Sequence, residues 1–471
     1  MHLLLMNSGL HFATLALLCF LLSTMGGQAN TELPDVLRGS YKGSFAYKTI
    51  SERMPVILTK VIDLFHREKI NIGNQYGDAA KEKLKQINGS LSELKSTMQR
   101  NKPLQPLAGA AADVPLWNRL LEEQWVDGEP PVWFDAPWLF VECYMYRRVR
   151  EILENSGELR DYDYFGQQKR DTLEASIAAI ELLGEHLLET VADPAALSGQ
   201  QVKRAFSDFI GMSLWANKND LSISAGAHVS QEASPLVQLV ELNHRVLVND
   251  SEQVFAQLRR LRDKRDVRID IVMDNAGFEL FSDLCLADLL TSLGIAQRMS
   301  LHIKAHPWYV SDTTPADVRH TLQHMQSADG KPALRRLAER WQGYLDAGTW
   351  VFEMDTFWTS PLPFSRMASE APELYAHLQA ANLIIFKGDL NYRKLLGDRN
   401  WPHSTGFCAS LEGFHPAPLV ALRTMKADLV SGLAPEREAL TAGDPNWMVS
   451  GEWALIQLCE CSDTARGGDE L

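Results

Sequence analysis

The second half of the chain alternates between strand-like and helix-like segments, and this alternation limits the possible folds more than any other feature. Residues 267–273 alternate and then run apolar, as a strand buried in a sheet does, and the pattern stops at Asp274. Helical spacing of apolar residues follows at once, from Phe278 to Leu290. Strands that alternate with helices predict an α/β fold, in which helices cover both faces of a mostly parallel sheet.

The same cycle recurs toward the C-terminus. Further strands are predicted at residues 299–305, 350–354, 383–386 and 419–422, and further helices near residues 316–325 and 373–380. The first half differs, because apolar residues from Ser51 to about Asn249 recur at the three- and four-residue steps of amphipathic helices, as they do from Leu173 to Val191. We therefore predict a helical domain over residues 31–265 and an α/β domain over residues 266–471.

Charge and composition exclude some classes of partner. The formal net charge of −14 argues against a nucleic-acid partner, because phosphate backbones are bound mainly by clustered Lys and Arg. Beyond the N-terminal region, no stretch reaches the roughly 18 uncharged apolar residues of a membrane helix, so we expect no transmembrane span in the mature protein. We expect a monomer. An acidic protein can still bind an anionic substrate when a divalent cation dominates the local field.

The cysteines indicate neither a zinc site nor a set of disulfides. Cys143, Cys285 and Cys408 lie in apolar contexts that are typical of buried thiols. Cys459 and Cys461 are too closely spaced for an ordinary zinc pair, and no second pair exists to complete four ligands.

Polar residues are concentrated where the predicted strands end. The four clusters are Asp274-Asn275, His306 to Asp312, Lys387 to Asn391, and Arg423 to Lys426. In open α/β sheets, ligands bind outside the carboxyl ends of the strands, so we expect these clusters to converge there. A single Asp after a strand is more often a helix N-cap than a ligand, but four clusters together favour a site.

The residue types in these clusters suit a metal ion and a phosphate. Asp274, Asp312 and the amide oxygen of Asn275 form a hard oxygen set for Mg²⁺ or Mn²⁺. His306 is a weaker candidate ligand, because a histidine in an apolar setting is more often structural.

The third and fourth clusters suit the phosphate. Gly388 allows close backbone approach, so the amides around Asp389 can bind a phosphate, and Lys426 can neutralise the charge of a transferring phosphoryl group.

Long motifs at these positions resemble the damage-control phosphatase family, in the branch that carries an Arg-Thr-x-Lys motif. The motifs are residues 274–279 (DNAGFE), residues 386–393 (FKGDLNYR) and Arg423-Thr424-x-Lys426. Segments of the helical half are also similar, namely residues 43–46 (GSFA) and residues 133–148 around WLFVECYMYRR. The resemblance extends from about Tyr41 to Gln457.

The resemblance implies a helical bundle followed by a Rossmann-like, three-layer α/β/α domain. It also implies hydrolysis of small phosphorylated metabolites, namely sugar phosphates such as fructose 1-phosphate, with Mn²⁺ or another divalent cation (Mg²⁺, Co²⁺ or Ni²⁺). Asp274, Asn275 and Asp312 are then the metal ligands, and with Lys426 they are the catalytic residues. Substrate binding is expected from motif residues, which are Glu279, Lys387, Gly388, Asp389, Leu390, Asn391, Tyr392, Arg423 and Lys426.

Three residues of the helical half are weaker candidates for a wall of the pocket, namely Trp138, Glu142 and Arg147. The alternative is a packed helix with a partly buried Glu/Arg pair.

The reaction itself leaves alternatives open. We favour in-line attack on phosphorus by a metal-activated water, and direct attack by Asp274 through an aspartyl-phosphate is the variant. A name used in this branch records a different enzyme, an S-adenosylmethionine-dependent methyltransferase of protein glutamates. That alternative has little support, because no Gly-x-Gly-x-Gly loop follows the first strand. A non-catalytic binding module is a third alternative.

The two termini leave the compartment open. Residues 1–30 include an apolar run from His11 to Ser23 that is similar to a signal or leader segment. The chain ends in Asp469-Glu470-Leu471, which approximates a retention signal of the endoplasmic reticulum. If both are signals, we expect the protein in the endoplasmic reticulum or the secretory pathway. Members of the family are usually cytoplasmic, which is the alternative.

Overall fold

A computed structural model of the chain describes residues 32–219, 239 and 242–460. The leader segment of residues 1–30, Cys461 and the C-terminal Asp469-Glu470-Leu471 lie outside the described residues, so the expectations about them stay predictions. The described residues from Val36 onward form one compact unit. Within the described ranges, no helix is both long enough and apolar enough to cross a membrane.

Seven strands form a single sheet in the order β1-β7-β6-β5-β2-β3-β4. The strands are β1 (Val246–Asn249), β2 (Arg268–Val272), β3 (Arg298–Ile303), β4 (Trp350–Met354), β5 (Leu383–Lys387), β6 (Leu419–Thr424) and β7 (Ala454–Cys459). Neighbouring strands pair in parallel, except for β6 and β7, which are antiparallel. The predicted α/β fold with a mostly parallel sheet is confirmed.

The order of the strands defines a switch point between β2 and β5. The chain continues from β2 to β3 and β4 on one side, and then returns to place β5 and β6 on the other side of β2. Val272 of β2 pairs with Phe386 of β5, so the loops that begin after the two strands leave the same edge of the sheet. Ligands of open α/β sheets bind in the crevice at such a point.

Helices flank the sheet along the whole chain. They are α1 (Phe45–Lys48), α2 (Met54–Arg67), α3 (Lys69–Tyr76), α4 (Asp78–Gln99), α5 (Val114–Glu122), α6 (Trp138–Glu154), α7 (Gly166–Ala175), α8 (Ile177–Thr190), α9 (Gly199–Trp215), α10 (Ser251–Leu261), α11 (Phe278–Ser292), α12 (Pro315–Ser327), α13 (Pro332–Asp346), α14 (Met367–Glu370), α15 (Pro372–Gln379), α16 (Gly388–Leu395) and α17 (Pro435–Glu438). A π-helical turn, Thr49–Arg53, joins α1 to α2.

Each face of the sheet has its own apolar core. In β2, Ile269 and Ile271 pack with helices α8, α9, α11 and α13, whereas Val272 packs with α2, α4 and α6. Side chains alternate between the two faces of a strand, and both faces of β2 are buried, which explains why its sequence has apolar residues on both faces. The N-terminal helices therefore form one of the two layers that cover the sheet.

Several predicted elements differ in detail from the observed ones. The predicted helix from Leu173 to Val191 is interrupted at Ser176, where α7 ends and α8 begins. Strand β1 lies within the region that was predicted as helical, and β7 was not predicted. Because β1 belongs to the sheet, the sheet begins before residue 266. The division into two domains at residue 265 stays a prediction.

The expectation about cysteine pairing was wrong at one position. Cys408 is exposed, and its sulfur forms a disulfide with Cys459, with the two Cα atoms 5.4 Å apart. Residues 51 positions apart in sequence meet here through the fold of the sheet, which no local spacing could indicate. Cys143 and Cys285 are buried free thiols, as predicted.

Candidate active site

The loops after β2 and β5 approach each other so closely that one position must be glycine. Gly388 has a φ of +83° and begins helix α16. A Cβ atom at this position would overlap with the carboxylate of Asp274. Glycine adopts positive φ without a steric cost and leaves room for the carboxylate, so the sequence Lys387-Gly388-Asp389 is what brings helix α16 up to Asp274.

Two side-chain amides hold the carboxylates of Asp274 and Glu279 together. Nδ2 of Asn275 donates to Asp274 Oδ2 at 3.0 Å and to Glu279 Oε2 at 2.7 Å. Nδ2 of Asn217 donates to the same two oxygens at 2.7 Å each. Thr424 Oγ1 donates to Asn217 Oδ1 at 2.7 Å, which orients this amide with its donor group toward the carboxylates. All four carboxylate and amide side chains are buried.

The third predicted metal ligand reaches the site through a strained turn after β3. Tyr309 and Val310 have φ values of +41° and +69°, which is rare for residues with a Cβ atom and costly for a β-branched one. The turn leads Asp312 back to form a β-bridge with Asn275, and Lys304 Nζ lies 3.2 Å from Asp312 Oδ2. Backbone strain of this kind is found mainly at functional sites, where the surrounding structure maintains it.

Asp389 connects the motif after β5 to the motif after β6. Its Oδ1 atom accepts hydrogen bonds from Arg423 Nε at 2.7 Å and from the backbone N–H of Lys426 at 3.1 Å. Arg423 also donates to the carbonyls of Leu429 and Ala427, so its guanidinium is fixed beneath the site. The ammonium of Lys426 donates to the carbonyl of Asn217. Arg423 therefore acts through Asp389, whereas Lys426 itself borders the pocket.

These residues surround a pocket that is open to solvent. Its lining comes from both the helical region and the strand-end loops: Phe45, Arg53, Trp138, Glu142, Asp274, Asn275, Tyr309, Asp312, Asp389, Leu390, Arg393 and Lys426. Among these residues, four carboxylates face three cationic side chains, so the protein alone does not give the pocket a positive charge. A phosphate dianion would need an additional cation there.

The predicted metal ligands fit such a cation by the chemistry of their donor groups. Two carboxylates and one amide oxygen border the same pocket, and hard oxygen ligands of this kind suit Mg²⁺ and Mn²⁺. The bridge between Asn275 and Asp312 and the hydrogen bond from Thr313 N to Asp274 O, at 2.8 Å, hold the three ligands on adjacent backbone segments.

Five of the predicted substrate-binding side chains support the pocket instead of lining it, namely Glu279, Lys387, Asn391, Tyr392 and Arg423. Lys387 lies on the opposite face of β5, where its ammonium is 3.2 Å from Glu279 Oε1 and 3.1 Å from Asp283 Oδ1. Asn391 Nδ2 donates to the Lys387 carbonyl at 2.7 Å, and Tyr392 OH donates to Gln457 Oε1 at 2.8 Å. Of the segment from Lys387 to Tyr392, Asp389 and Leu390 border the pocket.

The carboxylate of Asp283, next to Lys387, is affected most strongly by its burial. Burial raises the pKa of Asp283 to about 7, although Lys387 opposes this shift. The pKa of Lys387 is raised, because Asp283 and Glu279 together outweigh the effect of its burial. A buried cation between two carboxylates fixes the position of Glu279, and through the two amides that of Asp274.

The helical region lines one side of the pocket with Trp138 and Glu142. The ion pairs there differ from the expected pair of Glu142 with Arg147. Glu142 accepts a hydrogen bond from Arg393 NH1 at 2.5 Å, and the Arg393 guanidinium stacks 3.5 Å from the Trp138 ring centroid. Arg147 does not pair with Glu142. Its guanidinium binds Asp113 at 2.7 Å, away from the pocket.

The predicted alternative ligand His306 also lies outside the lining residues. Its ring packs edge-on against Trp308, with ring centroids 5.4 Å apart.

Sequence reasoning missed Asn217, Arg53 and Arg393. Arg393 lies in the motif FKGDLNYR, and its position one helical turn after Asp389 was an available signal. Arg53 lies at the end of the π-helical turn, a feature that often marks functional positions but has no sequence signature here. Asn217 follows an amphipathic helix and could be found only through its contacts.

Comparison with known proteins identifies the family of the chain. Residues 49–440 match the profile described as "Damage-control phosphatase ARMT1-like domain". Damage-control phosphatase ARMT1 of Mus musculus is 42% identical over 436 residues, which cover 91% of this chain and 99% of the mouse protein. The protein of the same name from Xenopus tropicalis is 43% identical over 434 residues, covering 90% and 98%. The human one is 40% identical over 435 residues, also covering 90% and 98%. The chain therefore belongs to the ARMT1-like damage-control phosphatase family.

Proposed function

We propose that this protein is a divalent-metal-dependent phosphatase that hydrolyses phosphomonoesters of small sugars, such as fructose 1-phosphate. The observation that carries the proposal is a convergence at the switch point of the sheet. Asp274, Asn275 and Asp312 meet the N-terminus of helix α16 and the ammonium of Lys426 in one pocket. The name of the related proteins supports the reaction class.

A metal ion and a helix N-terminus would each stabilise part of the negative charge of the phosphate. A divalent cation held by Asp274, Asn275 and Asp312 would polarise a phosphoryl oxygen and lower the pKa of a bound water. The first backbone N–H groups of α16, at Gly388 and Asp389, have no partner within the helix and can donate to phosphate oxygens. Lys426 borders the same pocket and can stabilise charge on the transferring phosphoryl group.

The hydrogen bonds of Asp274 favour water as the nucleophile. Its Oδ2 atom accepts from both Asn217 and Asn275, which reduces the electron density available for attack by that oxygen. The alternative is an aspartyl-phosphate on Asp274. A phosphate ester that is chiral at phosphorus separates the two, because direct attack by water inverts the configuration once, whereas an aspartyl-phosphate gives two inversions and therefore net retention.

The wall from the helical region suits a small polyol. Phe45 and Trp138 offer aromatic faces to the C–H groups of a sugar, and Glu142 offers an acceptor for its hydroxyl groups. Arg393 is held by Glu142 and by Asp398, with 2.8 Å between Arg393 Nε and Asp398 Oδ1. Its side chain is therefore already ordered before a substrate binds. We propose that these groups select the sugar.

The proposal is tested by phosphate release from a panel of sugar phosphates, using protein stripped of metal and then supplied with Mn²⁺, Mg²⁺, Co²⁺ or Ni²⁺. We expect activity only with metal, and a loss of at least about 10²-fold in Asp274→Asn, because that change removes a charged ligand. Asp355→Asn is the matched control, since Asp355 also follows a strand but caps the turn Thr356–Thr359. Metal-independent turnover, or normal turnover by Asp274→Asn, would contradict the proposal.

A further inference from the structure

A second group of metal-ligand side chains lies on the sheet, apart from the pocket. The described residues contain one group of histidine and carboxylate atoms that lie within 4.8 Å of one another, formed by Asp270, His302 and His377. Asp270 precedes Asp274 by four residues on the same chain segment. At the rise of an extended strand, this separation corresponds to roughly 13 Å. The group is therefore distinct from the candidate active site.

The sheet itself places three of the side chains together. Val272 pairs with His302, and His302 pairs with Glu353, so the side chains of β2, β3 and β4 that share this face stand side by side. Asp270 lies two residues before Val272 and therefore points to the same face. Helix α15 packs on this face through Leu374 and Leu378, which belong to the same core as Val272.

His377 completes the group from helix α15. Its Nε2 atom lies 3.8 Å from Asp270 Oδ2 and 3.2 Å from Glu353 Oε2. His302 Nε2 lies 3.2 Å from the same Asp270 oxygen. Two imidazole nitrogens and one oxygen of Asp270 thus face one small volume, with Glu353 beside His377.

We propose that Asp270, His302 and His377 bind a Zn²⁺ ion that joins strands β2 and β3 to helix α15. Two imidazoles and one carboxylate, with water in the fourth position, are a known ligand set for Zn²⁺. With bonds of about 2.0–2.1 Å, neighbouring ligand atoms of a tetrahedral site are about 3.3–3.4 Å apart. The separations of 3.2 and 3.8 Å between Asp270 Oδ2 and the two histidine nitrogens are close to this value.

Hydrogen bonding accounts for only one of these contacts. The 3.2 Å between His302 Nε2 and Asp270 Oδ2 is a hydrogen bond, whereas the buried His377 Nε2 has no hydrogen-bond partner among the described residues. Arg268 binds both oxygens of Asp270, with Nε 2.9 Å from Oδ1 and NH2 3.2 Å from Oδ2. The guanidinium thus fixes the carboxylate beside the histidines, as outer groups do for metal ligands.

The group is buried on one side and open to solvent on the other. Asp270 and His302 are fully buried, whereas the side chains of His377 and Glu353 are 30% and 29% exposed. An ion can therefore reach the buried ligands from solvent past His377 and Glu353. His302 Nδ1 has no hydrogen-bond partner among the described residues. Metal-binding histidines are usually fixed by such a partner, so we expect weaker binding than in a fully supported zinc site.

Co²⁺ is the probe for this site, because tetrahedral Co²⁺ absorbs visible light strongly and six-coordinate Co²⁺ with oxygen ligands does so weakly. Metal-free full-length protein is titrated with Co²⁺, and Zn²⁺ is then added to displace it. We expect intense visible bands that develop with one equivalent and disappear with Zn²⁺. Spectra that stay weak at every Co²⁺ concentration would overturn the proposal.

Variants assign the signal to these ligands. His377→Gln changes a partly exposed side chain, so the fold should persist, and Zn²⁺ affinity should fall at least about tenfold. His302→Gln should have the same effect if that variant folds. His403→Gln is the control, because His403 pairs with Glu438 at 2.8 Å without a third ligand. Unchanged bands in His377→Gln would overturn the assignment, whatever the phosphatase activity of the variant.

Discussion

Gly388 shows how one residue can set the geometry of the whole pocket. Its positive φ turns the chain out of β5 into helix α16, and its missing side chain leaves room for the Asp274 carboxylate. Both requirements are met by glycine alone, because other residues adopt this backbone region at a cost and would also bring a Cβ atom. The predicted phosphate-binding amides and the predicted metal ligand are therefore neighbours only while residue 388 is glycine.

We expect Gly388→Ala to reduce kcat/KM by at least about 10²-fold, because the methyl group displaces Asp274 or the N-terminus of α16. Gly413→Ala is the matched control, since Gly413 has the same φ of +83° with nothing within 4 Å of an added Cβ atom. Both variants should lose about 1–2 kcal/mol of unfolding free energy from backbone strain. Only the Gly388 variant should lose activity. Equal losses in both would show that Gly388 has no specific role at the site.

The sequence predicted residues of the site better than it predicted their roles. Asp274, Asn275, Asp312, Asp389 and Lys426 follow strands, and the ends of parallel strands meet at one edge, so their convergence could be predicted. Their assignment as ligands or substrate contacts stays a prediction. The face on which a side chain lies was harder to predict, because it depends on register within the strand. Lys387 is an example, since its backbone is at the site while its ammonium lies on the opposite face.

At the scale of elements, five of the seven strands were predicted, and β1 and β7 were not. Strands β2 and β5 are buried on both faces, and apolar residues predominate in their sequences. Strand β1 has four residues and lies at an edge, so it buries too few side chains to give a recognisable pattern. Its place was set by pairing with β7, a contact between distant parts of the chain.

The disulfide ties strand β7 to the loop that carries Cys408. We expect reduction to lower the free energy of unfolding by about 4 kcal/mol, from the chain entropy of a 51-residue separation. The measurement is urea unfolding with and without a reductant. Cys408→Ala should unfold at the reduced midpoint under both conditions. A wild-type midpoint that ignores the reductant, together with free thiols at both positions by mass spectrometry, would contradict the bridge.

At the scale of the whole molecule, the helical region and the strand-end loops build the pocket together. Phe45, Arg53, Trp138 and Glu142 come from the helices, whereas the proposed metal ligands come from the loops after β2 and β3. The helical region could be predicted as helical, but its packing on the sheet could not, because amphipathic periodicity identifies a buried face without identifying its partner. The pocket wall was accessible only through the family resemblance.

His306 lies where these two parts meet, and it makes their association sensitive to acid. Burial lowers the pKa of His306 to about 4, and the guanidinium of Arg150 on helix α6 adds to the shift. In the unfolded chain a histidine has a pKa of about 6.5. The folded state therefore binds fewer protons than the unfolded state between these values. The stabilisation is complete above pH 6.5 or so and is lost as the pH falls toward 4, by at most roughly 3 kcal/mol.

We therefore expect the unfolding free energy of the wild type to fall between about pH 6.5 and about pH 4, and His306→Gln to remove part of that slope, because glutamine does not titrate. Carboxylates contribute to the same pH range, so the difference between wild type and variant is the quantity to measure, by urea unfolding at a series of pH values. His66→Gln is the matched control, because it also replaces a histidine by glutamine but at an exposed position. Parallel pH profiles for His306→Gln and the wild type would mean that His306 is not buried against the helical region in solution.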